Sequence, residues 1–575
     1  MKLIIAQQCQ LYLYILQRVF YFLFHIMKET TSVIIWLLLV LFLRQNTCDD
    51  VFAATSDLEN LLLLEMDIVR DLKEMRPQLN GSFSAIDRYL EEYTKAKEYL
   101  DSSSMSYETF IGHPVNAFHL IRRMVISYRE IKKALLNATA KGNLSRIIEK
   151  TKLVTLDDTA LPTTTDLSGA ANSIAVLQSA YRLNVSEFVR GNIQVIGKEL
   201  NHVGQPLNAR DCLFIGKHAF NKGLYDRAVE WLKACLQVAT EEDELTAKRK
   251  EIEPFLATAI RVHDEVLQKK GPLGKGWRTN TEPFNKKKYK AKNVKSSPKT
   301  REEIEDLIPT NATVLSEQDE LEIFHRLCRG EQIRTDMQLK DLHCKLFKPH
   351  PYYFLQPIKL EEISKSPIIT AMKDFMTDQE ISALKTAAKK LQRSQHTSRF
   401  GGYQASDKRT SKQAWVTHRN NPIIKRFTDK IGWAVKLNPY PENFGSEYFQ
   451  VANYGIGGRY IPHTDYGNTS PLMPEKDLPF HSGERIATFM AYLEDVPEGG
   501  ATAFTLAGVS VWPEKGSAVF WFNLKTSGEG DYRTRHGGCP VLKGSKWICN
   551  KWFHERQQLF HRPCSIHKED IFGIS

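Results

Sequence analysis

A histidine and an aspartate two residues apart, His463 and Asp465 in the run "NYGIGGRYIPHTDYGN", are the first residues whose types and spacing could do chemistry. On an extended strand, residues two apart face the same side, so an imidazole and a carboxylate can share one metal ion. The motif alone is unselective: 17 histidines and 67 acids in 575 residues give about two H-x-[DE] matches by chance, and the chain has three. The others are His263-Asp264-Glu265 and His567-Lys568-Glu569. His263 falls in a helical stretch, where residues two apart do not face each other, and His567 lies in a polar tail. His463 follows a strand-like run.

A facial triad needs a second histidine from a distant strand, and "DYRTRHGGCPVLKGSKWICNKW" offers His536 at a strand edge. Two imidazoles and a carboxylate take three corners of an Fe(II) octahedron and leave three open, which suits a bidentate 2-oxo acid and O2. A closed zinc site fits that donor set less well. The far carboxylate of the acid then needs a fixed cation. Lys546 lies ten residues past His536, a turn and a returning strand away. A lysine inside a barrel needs an anionic partner, and the alternative is an exposed lysine on the turn "KGSKW".

These residues must be positioned by the segments around them. From about Pro351 onward, short alternating segments such as "EYFQVANYG", "RIATFMAYLEDV", "GVSVWP" and "GSAVFWFNL" are broken by Gly, Pro and Asn, which predicts a sandwich or barrel. "FMTDQEISALKTAAKKLQ" supplies a buttressing helix. Earlier, Leu58, Leu62, Met66, Val69 and Leu72 recur at helical steps, and residues 52 to about 200 form a helical region whose start could pair as a coiled coil or fold back as a bundle. In "ARDCLFIGKHAFNKGLYDRAVEWLKACLQVA", Gly216, Ala219, Gly223, Tyr225, Ala228 and Leu232 stand at tetratricopeptide offsets, followed by a poor second copy. The fold class is α+β and multidomain.

The composition, 42% hydrophobic and 25% charged, excludes only a fully disordered chain. The net charge of +11 is no mark of a nucleic-acid binder: residues 269–301 hold twelve Lys or Arg against the single acid Glu282, with Gly, Pro and Ser interleaved, as in a solvated linker. Near the start, an apolar stretch from Leu11 to Met27 precedes "VIIWLLLVLFL", Val33 to Leu43, which has the length of a signal-peptide core; translation from Met27 and a two-segment membrane anchor are the alternatives. N-x-[ST] sites at Asn80, Asn137, Asn143, Asn184, Asn311 and Asn468 agree with secretory entry. The chain closes on "FGIS", without a KDEL-type tail, and Cys9 and Cys48 fall in or beside the signal region.

The runs "GVSVWPEKGSAVFWFNLKTSGEGDYRTRHGGCPVLKGSKWICNKWFHERQQ", "RIATFMAYLEDVPEGGAT" and "YGIGGRYIPHTDY" closely resemble the catalytic domain of collagen prolyl 4-hydroxylase α subunits. The likeness extends upstream through "YETFIGHPVNAFHLIRRM", the tetratricopeptide-like unit and "HRLCRGE". It implies a signal region over 1–48, an N-terminal helical dimerisation domain over 49–204 and a tetratricopeptide-like peptide-binding module over 205–268. A basic, disulfide-bearing connector over 269–345 then leads to a double-stranded β-helix (jelly-roll) oxygenase domain over 346–575. It further implies Fe(II) on His463, Asp465 and His536, 2-oxoglutarate on Lys546, and His554 as the histidine that orients the cosubstrate and assists its decarboxylation. Tyr454, Thr488 and Trp552 match pocket-lining positions, although aromatic residues on strands are usually core. Disulfides would join Cys328 to Cys344 and Cys539 to Cys564, with Cys212 left as a thiol and Cys235 and Cys549 unassigned.

The implied reaction is 4-hydroxylation of proline in X-Pro-Gly sequences, coupled to conversion of 2-oxoglutarate and O2 to succinate and CO2, with ascorbate restoring the iron. The resemblance also implies residence in the endoplasmic reticulum lumen, glycosylation, no stable membrane span, and an α2β2 tetramer whose β subunit, protein disulfide isomerase, carries the retention signal. Substrate would be a proline-rich, collagen-like peptide in polyproline II form. The chain departs from the family at Arg459 and Ile461, usually a neutral amide and an acid, and at "TAFTLAG". The competing reading is a non-catalytic paralogue that binds protein disulfide isomerase or a proline-rich chain.

Overall fold

The structure is a computed structural model that describes residues 50–78, 84–103, 105–139, 161–193, 204–270, 317–388, 390–397, 403–405, 409–467 and 483–565. The expected signal region, the basic linker from 271 onward, and His567 lie outside the described residues. Residues 50–575 form one compact unit.

The first layer is helical: α1 (Thr55–Met75), α2 (Ser84–Ser102), α3 (Pro114–Arg122), α4 (Tyr128–Thr139) and α5 (Thr164–Tyr181). The apolar stripe read in α1 is the buried one at Leu58, Leu62, Val69 and Leu72, while Met66 is half-buried. Helix α5 starts on a capping box between Thr163 and Asp166, which satisfies otherwise orphaned N–H groups. Helices α6 (Ala209–Asn221), α7 (Tyr225–Glu241) and α8 (Arg249–Lys270) then pack in succession. A Cβ on Gly216 would sit 3.2 Å from Leu232 Cγ, so the small residue there is what lets α6 approach α7. A further helix, α9 (Glu317–Cys328), lies beyond the basic linker.

Two antiparallel sheets position the site. Among the described residues the larger has nine strands: β1 (Cys344–Phe347), β2 (Ile358–Lys365), β3 (Ile368–Lys373), β4 (Gln392–Arg393), β5 (Lys412–Val416), β6 (Phe449–Tyr454), β8 (Arg485–Tyr492), β11 (Ala518–Phe522) and β13 (Lys546–His554). Their order is β1-β2-β3-β11-β8-β13-β6-β5-β4. The smaller holds β7 (Tyr460–His463), β9 (Thr502–Phe504), β10 (Val509–Val511) and β12 (His536–Gly538), in the order β10-β9-β12-β7.

Strand alternation sorts the side chains. Phe449, Val451, Ala487, Phe489, Cys549 and Phe553 pack outward with the helices α10 (Asp378–Ala387) and α11 (Pro422–Val435). Tyr454, Met490, Tyr492, Trp521 and Ile548 face inward with Phe504 and Val509 of the smaller sheet. The helical layer shares its core with Ile456, Ala501, Ala503, Cys539 and Leu542.

That shared core explains the glycines before His463. The β6–β7 turn is wedged between the segment leading into α1 and α5: Gly455 N–H donates to Ala53 O at 3.0 Å, and a Cβ there would lie 2.2 Å from Phe52 O. Gly457 takes a φ of +57° with Ser173 against it.

The cysteine pairing differs from that implied by the resemblance. Cys328 is bonded to Cys539, with Cα atoms 5.4 Å apart, while Cys344 and Cys564 are exposed thiols rather than partners of Cys328 and Cys539. Helix α9 runs along β12 and brings the two buried sulfurs together across 211 residues of sequence, whereas Cys344 opens β1 at the outer edge of the large sheet. Cys212, Cys235 and Cys549 are buried thiols.

Candidate metal centre

The register of the small sheet does what the sequence asked of it. Across β7 and β12, His536 is paired with His463, and the two ring centroids are 4.5 Å apart. Asp465 follows two residues beyond His463, and one ligand atom from each of the three lies within 4.8 Å of the others. Each histidine has its Nδ1 on a backbone carbonyl two residues back, Ile461 O at 2.9 Å and Thr534 O at 3.0 Å. With Nδ1–H donating there, Nε2 carries the lone pair, and both Nε2 atoms face Asp465, at 3.5 Å from Oδ1 and 3.7 Å from Oδ2.

The carboxylate is itself held. Thr488 Oγ1 and Trp552 Nε1 both donate to Asp465 Oδ2, at 2.7 and 3.0 Å, from positions that face each other across β8 and β13. Asn523 Nδ2 donates in turn to Thr488 Oγ1 at 2.9 Å. Burial works to raise the Asp465 carboxyl, but His536, His463 and Arg485 together keep it well below the usual range. Burial pushes the His536 imidazole down to about 4, against the pull of Asp465, so it is neutral at pH 7. Two imidazoles and one carboxylate, converging from one side, form a donor set that fits Fe(II). Tyr460 stacks on His463 at 3.6 Å, and Trp521 meets His536 edge-on at 4.7 Å, walling the centre with rings.

Lys546 heads β13 on the same inward parity as Trp552, opposite Tyr454 of β6. It is 2% exposed, and among the described residues no carboxylate or hydrogen-bond acceptor meets its ammonium. The rings of Tyr454 and Tyr492 lie 5.4 and 5.7 Å from Nζ. Burial alone pushes its pKa down to about 7. The exposed-turn alternative is thereby excluded.

His554 shares the strand face of Trp552, but the structure does not bring it into the cluster. Its Nδ1 is 2.8 Å from Gly483 O and its Nε2 3.2 Å from Glu447 Oε1, so both ring nitrogens are engaged. Glu447 also accepts two bonds from Arg485, at 2.5 and 3.0 Å. The Arg485 guanidinium lies 4.0 Å from the centroid of the Trp552 ring, which links His554 to the Asp465 hydrogen bond through three side chains. Burial would raise the Glu447 carboxyl, yet Arg485 and His554 hold it down at about 2.

Arg485, Glu447, Asn523 and Tyr460 were not singled out by sequence reasoning. For Arg485 the one signal was a charge opening the otherwise apolar run "RIATFMAY"; the others carried none. Of the departures, Ile461 contributes its carbonyl to His463, and Arg459 its carbonyl to Thr410 N–H at 2.8 Å. His263 is near Asp264 on α8 and joins no cluster among the described residues.

Comparison with known proteins places these features in a wider set. The sequence matches the family described as "Prolyl 4-Hydroxylase alpha-subunit, N-terminal region" over residues 54–195 and the "2OG-Fe(II) oxygenase superfamily" over residues 449–554. It is 33% identical to prolyl 4-hydroxylase subunit alpha-2 of Gallus gallus over 560 residues, covering 92% of this chain and 98% of that protein. It is 32% identical to subunit alpha-1 of Homo sapiens over 534 residues, covering 90% of this chain and 95% of that protein. Among solved structures, the viral collagen prolyl hydroxylase from Paramecium Bursaria Chlorella virus-1, a 2OG complex, is 26% identical with a TM-score of 0.26, covering 32% of this chain and 94% of that one.

Proposed function

The chain belongs to the family of prolyl 4-hydroxylase α subunits, and from that premise we propose that it hydroxylates C4 of proline in X-Pro-Gly sequences of collagen-like chains. It is a dioxygenase that uses Fe(II), 2-oxoglutarate, O2 and ascorbate. The observation that carries the residue assignment is the His463–His536 register beside Asp465, with a buried lysine, Lys546, that no carboxylate among the described residues answers.

His463, Asp465 and His536 hold the iron, which when bound supplies O2 activation coupled to decarboxylation of 2-oxoglutarate. Lys546 takes the distal carboxylate of the cosubstrate, the pairing that a desolvated ammonium lacks otherwise. Thr488 and Trp552 orient Asp465, Tyr454 walls the lysine, and the rings around His463 and His536 exclude water. His554 acts on the cosubstrate end of the pocket through Glu447 and Arg485.

The strand arrangement is that of a double-stranded β-helix (jelly roll), and α6–α8 serve as the tetratricopeptide-like peptide module. The helical layer serves dimerisation. Protein disulfide isomerase is the β partner in an α2β2 assembly in the endoplasmic reticulum lumen. Among the described residues no helix is long and apolar enough to cross a membrane. Of the glycosylation sites, Asn184 is exposed and caps a short helix by accepting from Ser186 N–H, so its amide is within reach of modification.

The test is co-production of the chain with protein disulfide isomerase, followed by assay of succinate and 4-hydroxyproline on a (Pro-Pro-Gly) peptide. Wild type is expected to form both products and His536→Ala neither. Succinate without hydroxyproline would move the substrate away from X-Pro-Gly, and neither product from wild type would sink the reading.

A further inference from the structure

One face of α9 runs along the strand that carries His536. The Glu320 carboxylate, 9% exposed, accepts from Arg535 Nε at 2.6 Å and from Thr505 Oγ1 at 2.9 Å. Four residues on, the Phe324 ring lies against Gly537, where a Cβ would come within 2.8 Å of Cε2. Four residues further, Cys328 is bonded to Cys539.

The match is one of periods. A helix advances about 6 Å in four residues, and a strand about 6.6 Å in two. Residues 320, 324 and 328 therefore meet 535, 537 and 539 in step. The strand residues between them turn the other way: His536 toward Asp465, and Gly538 toward Lys546, whose Nζ is 3.8 Å from where a Cβ would stand. Glu320 spans two strands, because Thr505 follows β9, whose Phe504 is the registered partner of His536.

We propose that α9 is a splint for the second histidine and that Glu320 is its positioning residue, fixing His536 beside His463 and Asp465 by tying Arg535 to Thr505. It touches neither substrate nor metal. Loss of such an outer partner typically weakens metal binding about 10- to 100-fold. The inference rests on His536 being a metal ligand, and the experiment separates the two claims.

Mn(II) is titrated by electron paramagnetic resonance into the full chain in its purified assembly, stripped of iron. Variants are Glu320→Ala, Glu320→Gln, His536→Ala and Glu322→Ala, the last on the same helix but 43% exposed and paired with Arg182. Glu320→Ala is expected to weaken Mn(II) binding about 10-fold. Glu320→Gln keeps the acceptor oxygen and should recover most of it, and Glu322→Ala should match wild type. KM for the peptide should stay constant, since Glu320 faces away from the pocket. Equal affinity in Glu320→Ala and wild type, or equal loss in Glu322→Ala, overturns the splint. Undiminished binding in His536→Ala overturns the ligand assignment instead. Should Glu320→Ala fail to fold, Phe324→Leu decides: a several-fold weaker Mn(II) affinity supports the splint, and wild-type affinity refutes it.

Discussion

Two buried cations, one in the helical layer and one in the large sheet, have opposite fates. Arg123 of the helical layer, with 3% of its side chain exposed, makes a bidentate pair with Glu65 at 2.7 and 2.8 Å. Burial works to lower its pKa, but Glu65 outweighs that and holds it above the usual value. Lys546 has comparable burial and, among the described residues, no such partner. Even Lys551, three residues before the end of β13, places its ammonium 2.8 Å from Glu447 O. A buried charge that the chain pairs is architecture, whereas one that it leaves unanswered is a demand for an anion from outside.

The strongest challenge to that contrast is Arg123→Ala, which strands Glu65 in the core. It should cost about 3–5 kcal/mol, seen as a lower denaturation midpoint, with turnover per folded molecule unchanged. Replacing the pair together, Arg123→Met with Glu65→Leu, should recover most of the loss.

Lys546→Met should do the reverse. Removing one partner of a buried ion pair costs about 2–5 kcal/mol, here read as a rise of about 30-fold or more in KM for 2-oxoglutarate. The ligand-free chain should gain stability, because the desolvated ammonium is gone. The sign with pH follows. The folded pKa of Lys546 is about 7 and the unfolded value about 10.4, so its cost is absent above pH ~10 and complete below ~7. Thermal melts of wild type and Lys546→Met should therefore diverge as pH falls from about 10 to about 7, and saturating 2-oxoglutarate should close the gap in wild type. Parallel melts across that window would break the comparison.

Trp552→Phe removes one of two donors to Asp465 Oδ2 while keeping the ring. Metal affinity should fall about 10-fold. The smallest effect is expected where a cation meets water: Lys373, 37% exposed and paired with Glu514, should change stability by less than about 1 kcal/mol when replaced by Ala.

Much of the catalytic layer was legible in the sequence. His463 and Asp465 share a face because strand period is two, and β6, β8 and β13 showed the alternation that buries one side against helices. Less was legible where side chains meet across the chain. Glu447 and Asn523 look like any surface polar residues until β6 and β11 are brought beside β13 and β8. The cysteines were misassigned because pairing depends on how α9 lies on β12, and the resemblance joined neighbours in sequence instead.

By itself the sequence determined the donor types, the strand and helix periods that set which side chains share a face, and the family. Those depend on local geometry, repeated every two or 3.6 residues. Only the tertiary structure decided that His536 falls in register with His463, that Lys546 is sealed from water with no carboxylate among the described residues, and that Cys328 reaches Cys539. These are distances between residues far apart along the chain, and they exist only once the two sheets and the helical layer have closed on a common core.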